Sequence, residues 1–141
     1  MMKKLVLLCL SLVVITSACS KKLKTDGCPT GQMCTMMFAA VGTQFVDQNG
    51  NNVAVKDFKV FNTRTNKYIS VKGIIEDGSQ PTHYTIVTDA NKKEVSTEGD
   101  ELRIIATSVS GNKAISVVYK ISGGCNCHVE KLSGPEKIVV E

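Results

Sequence analysis

The chain has no tryptophan and few aromatic residues, with four phenylalanines and three tyrosines among 141 residues. A core built from this composition is aliphatic and modest in size. Histidine is also scarce, and only His83 and His128 could act as a general base near neutral pH. Neither lies in a nucleophile motif, and the chain contains no G-x-S-x-G sequence and no glycine-rich phosphate loop. The sequence therefore predicts a protein that is not an enzyme.

A strong excess of charge is missing as well. Beyond the first 18 residues, 15 basic side chains stand against 13 acidic ones, which leaves a net charge of +2. This weak and evenly spread charge argues against a nucleic-acid partner. The one basic cluster is formed by Lys21, Lys22 and Lys24. It would contact anionic lipid headgroups or form part of a solvated tether.

The first 18 residues have the pattern of an export signal. Lys3 and Lys4 precede an apolar run over residues 5–15, which is shorter than the roughly 20 residues of a spanning helix. The following segment, Thr16-Ser17-Ala18-Cys19, resembles the lipobox of bacterial lipoproteins, in which a diacylglycerol is attached to the cysteine and cleavage falls just before it. We expect residues 1–18 to be removed and Cys19 to be lipidated. An ordinary secretory signal peptide is the alternative.

Acyl chains on Cys19 would fix the protein on a membrane, because each buried methylene contributes about 0.8 kcal/mol. The residue after Cys19 is Ser20 and not Asp. In this respect the chain resembles lipoproteins that are sent to the outer membrane of a Gram-negative-type cell. Residues 19–27 form a polar tether that reaches about 25 Å when extended. The expected partners are membrane lipid and an envelope protein or glycan, with no cofactor besides the covalent lipid.

Residues 28–141 alternate short strand patterns with turn signals and lack an amphipathic helical run. This predicts one all-β domain, a Greek-key sandwich of about seven strands. In the first strand we place Met37, Ala39, Val41, Thr43 and Phe45 on the core face. The predicted strands cover residues 35–46, 53–61, 68–75, 83–88, 101–109, 114–122 and 138–140.

The segments between the strands carry the predicted turns and recognition loops. Asn49-Gly50 predicts a hairpin between the first two strands, since this dipeptide favours the tight turns of antiparallel pairs. The polar segments 62–67, 76–82 and 90–100 are predicted to be solvated loops. Together with the strand faces, they are the expected places for ligand recognition.

Several segments between residues 40 and 122 resemble the carboxypeptidase-regulatory, transthyretin-like (prealbumin-like) sandwich. They are Val46-Asp47-Gln48-Asn49-Gly50, Phe58-Lys59-Val60, Tyr84-Thr85-Ile86 and Gly99-Asp100-Glu101-Leu102-Arg103-Ile104. The tail from Cys125-x-Cys127-His128 to Pro135, with Cys34-Thr35, is similar to that of small bacterial lipoproteins to which no activity is assigned. These resemblances imply a β-sandwich and transfer no active-site residue.

Four cysteines follow Cys19. Cys28, Cys34, Cys125 and Cys127 form an even set in an oxidising compartment, which predicts two disulfides. A bond between Cys125 and Cys127 would close a very small strained ring, so we expect each of them to pair with Cys28 or Cys34. Both cross-pairings remain open at this point.

Two alternatives use the same cysteines. Closely spaced thiols such as those of Cys125 and Cys127 can exchange disulfides, although no thioredoxin-like alternation of helix and strand surrounds them. Thiolate, thioether and imidazole groups are ligands for copper or zinc, although the spacing matches no standard zinc pattern. The candidate metal ligands are Met33, Cys34, Met36, Cys125, Cys127 and His128.

Overall fold

The computed structural model describes residues 27–71 and 83–140. The predicted signal peptide, Cys19, most of the tether and the loop 76–82 lie outside these ranges. In the described part, no helix is long and apolar enough to cross a membrane. A 3-10 helix, Asp89–Glu94, lies between the fourth and fifth strands. The described residues form eight strands: β1 (Ala40–Val46), β2 (Val55–Asn62), β3 (Lys67–Tyr68), β4 (Tyr84–Thr88), β5 (Asp100–Ser108), β6 (Ala114–Ser122), β7 (Glu130–Ser133) and β8 (Lys137–Val139).

The strands form two sheets, which confirms the predicted all-β sandwich. One sheet has the order β4-β1-β8 and the other has the order β3-β2-β5-β6-β7. Neighbouring strands are antiparallel except for β1 and β8, which run parallel from Gln44 opposite Lys137 to Val46 opposite Val139. The strand β7 was not predicted, because its sequence Glu-Lys-Leu-Ser has one apolar residue and no alternation.

The core lies between the sheets and follows the predicted alternation. On β5 every second residue is buried, and on β6 the fully buried residues Tyr119 and Ile121 continue the same face. The predicted core residues Val41, Thr43 and Phe45 of β1 are buried, as expected.

Tyr119 joins the two sheets through its ring and its hydroxyl. The hydroxyl donates a hydrogen bond to Thr43 Oγ1 at 2.7 Å, so the two buried polar groups satisfy each other. Gly134 lies against the ring, and a Cβ at that position would come within 2.4 Å of Tyr119 Cδ1. With a φ of +128°, Gly134 is a position where a side chain would be both strained and obstructed.

The turn predicted at Asn49-Gly50 forms, but the hairpin prediction is wrong beyond it. Gly50 N donates to Asp47 O, and one antiparallel bridge joins Val46 to Asn52. After this bridge the chain crosses to the other sheet, where β2 pairs with β3 and β5. The turn residues fix a local reversal of the chain and leave the partner of the following strand undetermined.

The start of the first strand also differs from the prediction. Residues 35–39 are not part of a strand, and β1 begins at Ala40. Met37 is exposed and does not belong to the core face. The backbone of Ala39 instead exchanges hydrogen bonds with Asp89, since its N–H donates to Asp89 Oδ2 and its carbonyl accepts from Asp89 N.

One predicted loop is more ordered than expected, and one predicted strand is shorter in the described residues. The segment 90–100 contains most of the 3-10 helix and the buried Val95, so it is not a fully solvated loop. The predicted strand 68–75 is represented in the described residues by the two-residue β3 and the buried Ile69.

Candidate functional site

Two disulfides tie the beginning of the domain to the segment after β6. Cys28 bonds to Cys125 and Cys34 to Cys127, with Cα–Cα distances of 5.1 and 5.2 Å. Both predicted disulfides are confirmed. Of the two cross-pairings that the sequence left open, the protein has the one in which the first cysteine of the earlier segment pairs with the first cysteine of the later segment. We call residues 28–38 the strap and residues 123–128 the cysteine loop. The strap is exposed throughout and contains no helix or strand.

Two glycines allow the cysteine loop to pack closely against the 3-10 helix and the residues that follow it. A Cβ on Gly123 would lie 2.4 Å from Val95 Cγ2 and 2.7 Å from Lys92 O. Gly124 has a φ of +56°, and its Cβ would meet Thr97 N at 2.8 Å. The backbone N–H groups of Gly123 and Gly124 donate to Ser96 O and Lys92 O. The glycine pair thus permits an approach that side chains would prevent.

Side chains from the 3-10 helix and from the residues after it also bind the cysteine loop. Lys92 Nζ donates to the carbonyls of Asn126 and Cys127, each at 3.1 Å. Thr97 Oγ1 accepts from Cys125 N at 3.1 Å, and Thr97 O accepts from the Asn126 side-chain amide at 3.0 Å. These bonds satisfy the polar groups of a loop that has no sheet partner of its own.

A chain of three polar side chains joins the strap, the cysteine loop and the 3-10 helix. Asp89 Oδ2 lies 2.6 Å from His128 Nδ1, and His128 Nε2 lies 2.7 Å from Thr35 Oγ1. Asp89 also accepts hydrogen bonds from the backbone N–H groups of Ala39 and Val129, both at 2.9 Å. One carboxylate therefore receives three donors from two distant segments, one from Ala39 and two from the consecutive residues His128 and Val129.

The surroundings of Asp89 favour its ionised form. Partial burial raises the pKa of this carboxyl, but hydrogen bonds from Ala39 N, His128 and Val129 N together hold its pKa below the ordinary value. Because an ionised Asp89 can only accept, the neutral form of His128 donates to it from Nδ1 and accepts a hydrogen bond from the Thr35 hydroxyl at Nε2.

The order hydroxyl, imidazole, carboxylate is also the order found in hydrolases with a nucleophile, a general base and an orienting acid. Sequence reasoning missed this arrangement, because the three residues share no local spacing. His128 was considered only as a metal ligand or an isolated base. The cysteine pairing supplies part of the missing signal, since a Cys34–Cys127 bond brings the backbones of the adjacent Thr35 and His128 close to each other.

The residues of the metal alternative are only partly brought together. Cys34, Cys125 and Cys127 are bonded in disulfides and offer no thiolate in this form. Met33 and Met36 are exposed on the strap, and both ring nitrogens of His128 have polar partners. Among the residues that the structure describes, no group of three or more His, Cys, Asp or Glu side chains is placed to hold a metal ion.

A second polar cluster lies at the other end of the 3-10 helix. The buried Asp100 accepts from Arg64 Nε and from Asn62 Nδ2, both at 2.6 Å. Asn62 Nδ2 also donates to Glu94 O at 2.9 Å, which ties β2 to the end of the 3-10 helix. Burial raises the pKa of Asp100, but hydrogen bonds from Arg64, Ser96 and Asn62 lower it to about 2.

The outer face of the five-stranded sheet carries a row of side chains across four strands. Tyr68, Phe61, Arg103 and Val118 stand opposite one another on β3, β2, β5 and β6. The Phe61 and Tyr68 rings pack edge to face with centroids 5.3 Å apart. Tyr68 is 58% exposed and Val118 is 44% exposed. We call these four residues the aromatic row.

Comparison with protein-family models, with curated proteins and with solved structures finds no match for this chain. Its function is therefore inferred from its own residues.

Proposed function

We propose that this protein is a lipoprotein of the bacterial cell envelope, held on a membrane by acyl chains on Cys19, whose sandwich is a non-catalytic binding module. The observation that carries the proposal is the pair of disulfides that follows a lipobox-like sequence. Disulfides persist in oxidising compartments outside the cytoplasm. A chain with a lipidation sequence at residues 16–19 and two cross-links in its folded part has the chemistry expected of an exported, anchored domain.

The resemblance to the transthyretin-like sandwich and the outer-membrane location belong to the same proposal. The first is supported by the two-sheet all-β architecture. The second is supported by Ser20 after the anchoring cysteine. A sandwich of this kind displays flat strand faces and loops to its surroundings, and these are the surfaces on which binding functions are placed.

We assign recognition to the aromatic row. The exposed Tyr68 ring, packed on the half-buried Phe61 ring beside the Arg103 guanidinium, provides apolar area, stacking and hydrogen-bond donors at one place, which suits a glycan or a protein surface of the envelope. Lys67 adds positive charge beside Tyr68, and the two line a cleft together with Arg64, whose guanidinium is paired with Asp100. The partner is therefore an envelope glycan or protein that presents hydroxyl or acidic groups.

The anchor is tested by a Cys19→Ala change in the full-length protein. Growth with a clickable fatty acid, followed by membrane fractionation, should show labelled membrane-bound protein for the native sequence and no labelling for the variant. Cys9→Ala is the matched control, because Cys9 lies within the predicted signal and should not affect labelling. Equal labelling of the Cys19→Ala variant would remove the anchor from the proposal.

The recognition surface is tested by co-sedimentation of the protein with insoluble envelope glycan. Tyr68→Ala should lower the bound fraction, because it removes the most exposed ring of the aromatic row. Val109→Ala changes an exposed apolar residue outside the row and should bind like the native protein. Equal binding of all three proteins, or of none, would count against a glycan at this face.

One observation favours a second function from another class. The hydrogen-bonded order Thr35, His128, Asp89 would allow Thr35 Oγ1 to attack the acyl carbon of an ester while His128 Nε2 takes its proton. The bond to the alcohol of the ester would then break, with the proton passing from His128 to that alcohol, and water would release the acyl group from Thr35. Covalent labelling by a fluorophosphonate probe that is lost in Thr35→Val would establish this hydrolase function. Under the non-catalytic proposal, neither the native protein nor the variant is labelled. The three residues then only hold the strap and the cysteine loop on the 3-10 helix.

A further inference from the structure

The strap exposes an unusual amount of apolar surface. Met33, Met36, Met37 and Phe38 fall within six consecutive positions, and each side chain is at least 68% exposed. Burying such a side chain contributes about 1.5–3 kcal/mol, so leaving four of them in water forgoes a large stabilisation. Contiguous apolar surface of this kind marks a site of contact with another molecule or a membrane.

The backbone that carries these side chains is fixed to the domain. Cys34 is bonded to Cys127, Thr35 contacts His128, and Ala39 N donates to Asp89. The attachment points lie between and immediately beyond the apolar residues. Met36, Met37 and Phe38 are therefore presented outward by a segment that is held at both ends.

The charge around the strap suits a lipid surface. The strap itself contains no charged residue. The carboxylate hydrogen-bonded to His128 and Ala39 beside the strap, that of Asp89, also accepts from Val129 and is only 14% exposed. The exposed carboxylate of Glu130 follows the cysteine loop and, in the described part of the chain, is not hydrogen-bonded to the strap. On the other side, Lys93 lies in a cleft with Cys28 and Cys125. Positive charge next to an uncharged apolar segment is the arrangement that binds anionic headgroups and the upper acyl region together.

The position of the strap in the chain points to the same surface. Cys19 precedes Cys28 by nine residues, which span at most about 30 Å even when fully extended. The intervening segment contains Lys21, Lys22 and Lys24. An acyl group on Cys19 would therefore hold the strap within reach of the leaflet into which that group is inserted.

We infer that the strap is a membrane-contact segment, in which Met33, Met36, Met37 and Phe38 enter the boundary between headgroups and acyl chains of the leaflet that carries the lipid on Cys19. This inference rests on the proposed lipid anchor. It adds an orientation. The disulfide end of the sandwich, formed by the strap and the cysteine loop, faces the membrane, so the domain lies on the bilayer surface and does not move freely on its tether.

The absence of tryptophan allows a direct test, because a single introduced indole reports only its own surroundings. Phe38→Trp and Met36→Trp place the reporter on the strap at exposed positions, and Tyr68→Trp places it on the aromatic row. Each full-length, lipidated variant is reconstituted into vesicles of phosphatidylethanolamine and phosphatidylglycerol. Circular dichroism and thermal melting check that each variant is folded.

We expect the two strap reporters to emit at shorter wavelength in vesicles and to be quenched by lipid brominated near the top of its acyl chains. The Tyr68→Trp reporter should keep the emission of an indole in water and resist this quencher. Flotation and intact mass, measured on the same samples, report the anchor separately. Quenching of the strap reporters alone would support the membrane-contact segment.

Each other outcome overturns a defined statement. Acylated protein that floats with the vesicles but has unquenched, water-like strap reporters would refute the membrane-contact segment and leave the anchor intact. A blue shift without quenching by brominated lipid would mean that protein covers the strap, either a second copy or a partner, and would also refute it. Protein without acyl chains that fails to float would refute the anchor and the inference with it.

Discussion

The carboxylate of Asp89 and the imidazole of His128 lie 2.6 Å apart, and this pair connects the 3-10 helix to the cysteine loop. The same carboxylate accepts from Ala39 N in the segment leading to β1 and from Val129 N before β7. One side chain thus joins three segments that are far apart in sequence: the 3-10 helix, the residues before β1, and the consecutive residues His128 and Val129. Removing this carboxylate should therefore destabilise the strap, the cysteine loop and the 3-10 helix together.

Asp89→Asn should lower the free energy of unfolding by about 1–3 kcal/mol, because the amide NH₂ must face at least one N–H donor that the carboxylate accepted. Chemical denaturation at neutral pH measures the loss. Glu130→Gln is the matched control, since it removes an exposed carboxylate near the same loop and should change stability little. Equal stability of Asp89→Asn and the native protein would show that these contacts are not formed in solution.

Reduction of the disulfides should destabilise the domain strongly. The two bonds close loops with sequence separations of 97 and 93 residues. In the chain-entropy model each such loop contributes roughly 4–5 kcal/mol, with a smaller contribution from the second bond once the first is present. Since domains of this size are stable by about 5–15 kcal/mol, the reduced protein should melt at a much lower temperature or unfold.

Thermal melting of oxidised, reduced and reduced-plus-metal protein measures this effect and tests the metal alternative together. The double changes Cys28→Ser with Cys125→Ser, and Cys34→Ser with Cys127→Ser, should each cost a similar part of the total. If copper or zinc restored the melting temperature of the reduced protein, the cysteines would be metal ligands. Identical melting of oxidised and reduced protein would contradict a stabilising role for the disulfides.

Asp100 should make stability depend on acid pH. Its folded pKa of about 2 lies below the ordinary value of 3.8, so the folded state favours the ionised form. The resulting stabilisation, about 2 kcal/mol, is complete above about pH 4 and is lost as the pH falls through about 2. Unfolding by denaturant across this range should show the loss.

In Asp100→Asn this part of the pH dependence should disappear, and stability at neutral pH should fall. Glu101→Gln changes the next residue of the same strand, whose side chain is exposed, and should keep the native profile. A profile for Asp100→Asn that parallels that of the native protein would assign the acid sensitivity to other carboxyl groups.

Tyr119→Phe should lower the free energy of unfolding by about 1–2 kcal/mol. The change removes the hydroxyl that bonds to Thr43 Oγ1 and leaves the buried Thr43 hydroxyl without this partner. Tyr68→Phe is the control, because its hydroxyl belongs to an exposed side chain. Unfolding by denaturant measures the free energy of unfolding of both variants. An equal decrease in the two variants would argue against a specific hydrogen bond between the sheets.

Gly123→Ala should destabilise the packing of the cysteine loop, since the added Cβ would meet Val95 and the Lys92 carbonyl at less than 3 Å. Gly111→Ala should be tolerated, because its Cβ would have only Lys113 Cγ nearby, at 3.7 Å. Melting temperatures of the two variants give the comparison. A Gly123→Ala protein as stable as Gly111→Ala would mean that the loop lies farther from Val95 than described.

The parts of the fold that could be predicted from the sequence are those with local signals. Alternating apolar residues gave β5 and β6 nearly at their observed bounds, because the two-residue period of a strand is visible within the segment itself. The number of disulfides, and the pairing of each C-terminal cysteine with Cys28 or Cys34, followed from the even cysteine count, the spacing of Cys125 and Cys127, and the expected oxidising compartment. Choosing between the two cross-pairings needed the direction in which the strap runs past the cysteine loop, which no local pattern contains.

The relations that could not be predicted depend on contacts between distant segments. The turn at Asn49-Gly50 has the same sequence whether β2 returns beside β1 or crosses to the other sheet, and the choice is made by the longer ladder with β5. The parallel pair of β1 and β8 joins residues more than 90 positions apart. Thr35 and His128 are brought close by the Cys34–Cys127 cross-link, and Asp89 reaches them because the cysteine loop packs on the 3-10 helix.

The two disulfides also determine how mechanical force would pass through the molecule. Tension applied at the N-terminal side of Cys28 reaches Cys125 through a covalent bond before it reaches β1. The strap and the cysteine loop must then move together, so peeling β1 from β4 would also displace the segment between β6 and β7. If a load acts through the proposed acyl chains on Cys19, the disulfides would distribute it to both sheets, and the strands would not separate one at a time.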